Sequence, residues 1–376
     1  MTVPGKQQGL DPTAHGGAAL LDLSTLRQTW PALARPRPIV IFGAGGIVTD
    51  AHLPAYRMAG LPVAGLRDLD RARAERVGRE WGVPVFRSLD EALAIPDAVF
   101  DLALPPAAHL DVLPSLPDGA AVLLQKPMGR DLGEATQILA LARQKRLRAA
   151  VNFQLRFSPM MLAVTDALKK GLLGRLIDVE VHLNLVTPWH LFPFLKGAPR
   201  VEIAVHSIHY LDLIRAVLGH PSGVMARTLG HPATDLAQTR TSAILDFGPD
   251  IRCTLSINHN HDFGRQFQDA SFRFEGTEGA AFVKLGLLLN YPEGEPDELW
   301  IARRGGPWAP VTLAGGWFPH AFIGTMSNLQ RFAQGEDDTL VSPLEDAWRT
   351  MALVEACFRS SAAPATPVPN APEAVS

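Results

Sequence analysis

The chain has 376 residues, 47% hydrophobic and 19% charged, which is a length for two domains and enough apolar material for a sizeable core. Its 35 basic and 38 acidic residues leave a net charge of −3 with no block of one sign, so neither nucleic acid nor an anionic membrane surface is expected as a partner. The two cysteines, Cys253 and Cys357, are too few for a disulfide framework or a metal knuckle and read as reduced core thiols.

No apolar stretch reaches the roughly 20 residues that a transmembrane helix needs. The N-terminus lacks the basic start and apolar run of a secretory signal, so a cytoplasmic location is expected. Residues 1–17 are rich in Gly, Pro and polar residues, and 18–33 could hold a short helix with Leu20, Leu21, Leu23, Leu26 and Trp30 as its apolar positions. Together with the Pro-rich break that follows, they are read as an N-terminal extension over 1–37, a packing arm on the first domain.

From Pro38, strands and helices alternate. Strands are predicted at 39–42, 61–66, 83–86, 98–103, 120–124 and 149–153, with helices to about Met58 and over 71–81 and 132–144. The first strand is apolar without alternation, as in strands buried on both faces. This is the pattern of a doubly wound parallel sheet of Rossmann type, placed at 38–155. Beyond Pro159 the period changes. Asp178–Leu185 alternates strictly, and Thr241–Phe247 and Ile251–Asn258 flank the turn Gly248-Pro249-Asp250, a hairpin signal. Further strands at 280–285 and 299–302, with helices at 203–218, 320–334 and 343–361, give an α/β domain over 156–362 built on a large open, mostly antiparallel sheet. Residues 363–376 form a Pro/Ala-rich tail.

The first strand runs into Gly43-Ala44-Gly45-Gly46-Ile47-Val48 and then a helix. Gly43 and Gly45 allow the tight turn and the approach of a pyrophosphate, and the helix N-terminus offers free N–H groups. Val48 stands where a third glycine is usual, with Gly46 two residues early. Asp68, at the end of the second strand, is where a carboxylate accepts from an adenosine ribose. It favours NAD, although Arg67 and Arg71 leave NADP open; Asp70 is the better helix cap. Glu202, His206 and His209 share a helix face at i, i+4 and i+7, and Val205, His209 and Asp212 share another. Histidine suits the removal of a hydroxyl proton near neutral pH. A Glu/His/His face could also ligate a metal, but no further cluster supports this and no metal is expected. Trp189 and His190 could line a sugar pocket. His259 and His261 could be oligomer contacts, and Trp317, Phe318 and His320 read as core or staple residues.

Several of these segments, taken in order, resemble the glucose–fructose oxidoreductase / inositol dehydrogenase family of NAD(P)-dependent oxidoreductases. They are Gly43-Ala44-Gly45-Gly46-Ile47 with His52-Leu53-Pro54-Ala55; Leu104-Pro105-Pro106 with His109; Gln125-Lys126-Pro127; Asn152 with Arg156-Phe157-Ser158-Pro159; and Gly276-Thr277-Glu278-Gly279. The resemblance implies NAD or NADP as cofactor, held by Gly43, Gly45, Gly46, Ile47, Asp68, Leu104, Pro105, His109, Gln125, Lys126, Asn152 and Arg156. It also implies Lys126 as the catalytic lysine, with a cis bond to Pro127. The family's usual glutamate is Gln125 here. Its Asp–His–Asp pattern falls either on Val205, His209 and Asp212 or on Glu202, His206 and His209; the first register is preferred because His209-Tyr210-Leu211-Asp212 continues into Arg215 and Gly219 as the family motif does, and His206 could take over part of the missing acid's task.

The expected activity is hydride transfer between a nicotinamide and a hydroxyl of a sugar, cyclitol or related polyol. Lys126, His206 and His209 are the catalytic residues; with Trp189 they bind substrate. Two alternatives stand beside it. One is an enzyme that retains NAD and oxidises a sugar only transiently, with the N-terminal arm covering the cofactor. The other is a dinucleotide-sensing protein without catalysis. A homodimer or homotetramer is expected, since the family's open sheet commonly serves as an oligomer interface.

Overall fold

The computed structural model describes residues 22–192 and 195–368. β1 (Ile39–Phe42) is buried along its whole length. It leads through the glycine turn into a helix whose first part is a wide π-turn, Val48–His52, before regular α1 (Leu53–Met58). β2 (Val63–Arg67) follows, then α2 (Arg71–Trp81). Asp70 caps α2 by accepting from the Arg73 N–H, as predicted, and Gly82 ends it in the left-handed region at φ +67°. α3 (Leu89–Leu93), β3 (Val99–Leu102), α4 (His109–Val112), β4 (Ala121–Leu124), α5 (Leu132–Gln144) and β5 (Arg148–Val151) complete the first layer.

The five strands are parallel in the order β2-β1-β3-β4-β5. The chain changes direction of winding between β1 and β3, and a crevice for ligands opens above such a switch point. The strand expected over 83–86 shrinks to a single bridge between Leu66 and Val85. Pro84 has no N–H to donate, so no ladder can extend through it.

The second half contains α6 (Pro159–Lys169), β6 (Leu176–Asn184), a π-turn at Ile203–Ser207 running into α7 (Ile208–Leu218), β7 (Gly223–Leu229), β8 (Arg240–Asp246), β9 (Arg252–Asn258), β10 (Asp269–Gly276), β11 (Gly279–Lys284), β12 (Glu298–Arg303), β13 (Trp308–Pro310), α8 (His320–Ala333) and α9 (Leu344–Ala362). Eight strands form one sheet in the order β13-β12-β11-β10-β6-β9-β8-β7. β6 and β9 run parallel and every other neighbouring pair is antiparallel. The predicted hairpin around 248–250 is β8–β9. Alternation holds where one face is wet: Cys253, Leu255 and Ile257 of β9 are buried, while Arg252 and Ser256 are exposed. β7 escapes a sequence reading because Met225 and Leu229 lie on its exposed face and hide the period.

Two features depart from the linear domain plan. Phe322, Met326 and Leu329 of α8 pack with Ile39, Ile41, Val48 and Tyr56, so this late helix covers the back of the parallel sheet. A sheet with apolar residues on both faces needs helices on both, and the second cover comes from residues more than 150 positions away. The helix expected over 18–33 is also absent from its described part. Positions 18–21 lie outside the described residues, and from Asp22 onward only Leu23–Thr25 makes a helical turn. Pro31 disfavours a helix there. The arm's polar groups bond to the body instead: the Arg27 N–H to Asp166, Gln28 Nε2 to the Thr312 carbonyl, and Trp30 Nε1 to Asp337. These contacts lie on α6, the loop before α8 and the loop after it, and none of residues 22–37 bonds to the glycine turn.

Candidate active site

Gly43 has φ +111°, and a Cβ there would overlap the carbonyl oxygen of Ala103, the residue after β3. Glycine is therefore required where the β1 and β3 ends meet. Gly45 is different: a Cβ there meets nothing within 4 Å, so the turn leaves an open cradle above it. Helical geometry begins at Gly46, and the first N–H groups face that cradle. Asp68 Oδ2 accepts from the Ala44 N–H at 2.7 Å; Oδ1 accepts from the Asp70 N–H at 2.8 Å and from Arg73 at 2.9 Å. Burial works to raise the Asp68 pKa, but these bonds outweigh it and hold the carboxyl below the usual range. A carboxylate has about four acceptor sites, so one remains for a ribose hydroxyl. The open cradle, helix N-terminus and acid at the end of β2 fit a dinucleotide. The arginine that engages Asp68 is Arg73, whereas the sequence singled out Arg67 and Arg71.

The strand-end candidates divide. Leu104 and Ile47 are half-buried and Pro105 is exposed, all on the carboxyl edge of the sheet. Gln125 is buried, and its Oε1 accepts from the Lys126 N–H at 3.3 Å. His109 is fully buried, and burial lowers its pKa to about 4. Asn152 is also fully buried and its amide faces His52 at 3.5 Å. Arg156 corrects the expectation of a cofactor contact, because all three guanidinium nitrogens are bonded inside the protein. Nε and Nη2 each donate to Asp212 at 2.6 Å, Nη2 also to Asp346, and Nη1 to the Val341 carbonyl. Asp212 is thereby a partner of Arg156 and Thr350, not of His209.

The Lys126–Pro127 bond is cis. Lys126 Nζ donates to the Val205 carbonyl at 3.0 Å. Burial lowers its pKa to about 8. His206 and His209 sit close enough to feel this ammonium. Burial, with the Lys126 charge added, holds both imidazoles well below 6.5, and His259 and His209 add to the effect on His206. At neutral pH both rings are uncharged. Nδ1 of His209 and Nε2 of His206 have no hydrogen-bond partner among the described residues. His209 packs edge-on against Trp317 at 5.7 Å, and the Trp317 backbone N–H donates to the half-buried Asp297. Trp189 meets His206 at 5.2 Å and His259 at 5.4 Å.

The helix face drawn from α-spacing is altered by the π-turn at 203–207. One extra residue in the turn brings residues i and i+5 together. Glu202 accordingly accepts from Ser207 Oγ at 2.7 Å, and it also accepts from Thr241 Oγ1 and faces His259 Nε2 at 3.4 Å. Its carboxylate is fully buried. His259 is buried within this cluster, so the expectation of an oligomer contact is corrected. It links Glu202 to Thr187, whose hydroxyl is 2.7 Å from Nδ1. Among the described residues no group of three or more His, Cys, Asp or Glu side chains is arranged to hold a metal.

Known proteins share this architecture. The profile of a family described as "Oxidoreductase family, NAD-binding Rossmann fold" matches residues 37–153. The oxidoreductase YceM of Salmonella typhimurium is 36% identical over 124 residues, which is 32% of this chain and 40% of that protein. The dTDP-3,4-didehydro-2,6-dideoxy-alpha-D-glucose 3-reductase of Actinomadura kijaniata is 30% identical over 268 residues, 67% of this chain and 76% of that one. Among solved structures, an oxidoreductase from Agrobacterium radiobacter in complex with NAD+, L-tartaric acid and magnesium superposes with TM-score 0.72. It is 19% identical and covers 87% of this chain and 97% of its own, a likeness of fold. The chain thus belongs to the oxidoreductase family with an NAD-binding Rossmann fold, the glucose–fructose oxidoreductase / inositol dehydrogenase family.

Proposed function

We propose that this protein is an NAD(P)-dependent dehydrogenase acting on a CH–OH group of a sugar, cyclitol or related polyol. One observation carries the reading: Lys126 Nζ, His206 and His209 form a single cluster at the carboxyl end of β4, on the same sheet edge as the glycine cradle. When bound, the nicotinamide supplies the hydride acceptor or donor.

The chain's own residues supply the rest. The first helical N–H groups beyond Gly45 bind the pyrophosphate, and Asp68 orients the adenosine ribose. Lys126 donates to the substrate oxygen and stabilises negative charge developing there. His209, uncharged and with a free Nδ1, accepts the hydroxyl proton; His206, equally uncharged, is placed to help it. Trp189 offers the flat wall on which a sugar ring packs. The relation to a sugar reductase supports the substrate class.

The test uses purified protein, titrated with NADH and NADPH by fluorescence and then assayed for nicotinamide reduction with a panel of sugars and polyols. Heat-denatured protein is assayed in parallel for released nucleotide. Saturable dinucleotide binding with turnover of at least one hydroxylic substrate is expected. Failure to bind either dinucleotide would reject the reading.

A further inference from the structure

Lys126 is a half-buried lysine, and among the described residues no carboxylate lies beside it. Its ammonium donates to a neutral carbonyl, that of Val205. Its neighbours in sequence and space, Gln125, Val205, His206 and His209, carry no negative charge at neutral pH. The acid of the neighbouring π-turn, Glu202, is already engaged by Ser207, Thr241 and His259. Asp212 is likewise held by Arg156 and Thr350. The protein therefore supplies an ammonium to the site without a counter-charge, although buried charges are ordinarily paired.

His206, near that ammonium, and Trp189 beside it have buried Nε2 and Nε1 atoms without a partner among the described residues. Their rings meet edge to face at 5.2 Å, so the two unmatched groups belong to one wall of the site. An indole N–H is a donor only, and a neutral imidazole nitrogen donates when it carries the proton. One cation and polar atoms lacking an acceptor form a lining that matches an anion better than a neutral hydroxyl.

We propose that the substrate is a hydroxy acid of the sugar class, such as an aldonate or uronate, whose carboxylate lies beside Lys126 and supplies its missing counter-charge. This rests on the dehydrogenase reading and narrows its substrate. Affinity comes from pairing a charge that is already desolvated, and the carboxylate fixes which hydroxyl faces His209. A neutral polyol leaves the ammonium unpaired and forgoes this gain.

The test compares compounds that differ only in the acid: D-gluconate against D-glucitol, and D-glucuronate against D-glucose. Binding is measured by calorimetry on the protein saturated with NADH, and turnover by kcat/KM with NAD and NADP. At least one acid is expected to bind ten-fold or more tightly than its neutral counterpart. Val205→Asp, which adds a carboxylate to the residue whose carbonyl Lys126 bonds, should reduce that ratio ten-fold or more, whereas the uncharged Val205→Thr should keep it. Equal or weaker binding of both acids overturns the proposal, whether or not Val205→Asp folds. Turnover of neutral sugars in that case leaves the dehydrogenase reading standing, and failure of dinucleotide binding, measured separately, marks the failure of that reading instead.

Discussion

The dinucleotide turn and the Lys126 cluster lie on one sheet edge but are built by different means. The turn is made of backbone: Gly43 in a positive-φ conformation against Ala103, open space above Gly45, and a helix end. Its one essential side chain, Asp68, braces the same backbone through the Ala44 N–H. The Lys126 cluster is made of side chains from β4, the π-turn before α7, and the segments after β6 and β9. A π-turn occurs in both regions, with opposite results. At Val48–His52 it carries His52 into the core, 2.6 Å from Asp101; at Ile203–Ser207 it turns Glu202 inward and leaves His206 on the cleft. Backbone sites depend on local conformation, whereas side-chain sites depend on how distant segments pack.

The strongest way to break this contrast is at the ion pair beneath the second region. Asp212→Ala leaves buried Arg156 short of its main partner, and such a loss costs about 3–5 kcal/mol. Chemical denaturation should show that loss, together with failure of the Lys126 cluster; a change within 1 kcal/mol, roughly the median for exposed pairs, would mean that the pair does not organise the site. Next is Lys126→Ala, which should lower kcat/KM by about 10²–10³-fold while leaving the dinucleotide dissociation constant nearly unchanged. Unaltered turnover would remove Lys126 from the chemistry. Gly43→Ala should do the reverse: strain of about 1–3 kcal/mol at the turn, and dinucleotide binding lost before the Lys126 cluster is disturbed.

Smaller effects come from titration. The Lys126 pKa is lowered from 10.5 to about 8, so the ammonium is lost near pH 8 and kcat/KM should fall above it. The same shift has a stability sign. Between about pH 8 and 10.5 the unfolded chain holds more protons than the folded one, so stability rises with pH through that window, and below it the full penalty of burying the ammonium is present. Lys126→Met should therefore raise Tm at pH 7, with the gain shrinking as pH climbs past 8. A Tm difference that stays constant to pH 10.5 would show that Lys126 is not desolvated.

Much of the first region was legible because its signals are local. Apolar runs, Asp70 as a cap, the glycine turn and Asp68 each act within a few residues of themselves. The failures have physical causes too: Pro84 limits a strand to one bridge, and Pro31 and the bonds from Arg27 to Trp30 hold the arm extended. In the second region, α-helical spacing put Glu202, His206 and His209 on one face, but a π-turn carries no simple periodic mark. His259 was visible as a histidine after a strand, yet nothing local says that it faces Glu202.

By itself, then, the sequence determined the alternation of strands and helices that builds the parallel sheet, the glycine turn that receives a dinucleotide, and the identity of Lys126 as the residue past β4. Tertiary structure alone decided that Arg156 and Asp212 hold each other, that Glu202 turns to Ser207 and His259, and that Lys126 stands among groups without negative charge. The physical reason is range. Backbone conformation and hydrophobic period are set by neighbours a few residues apart, while the charge balance of a buried site is set by which side chains, scattered over some 230 positions from Lys126 to α9, finally meet.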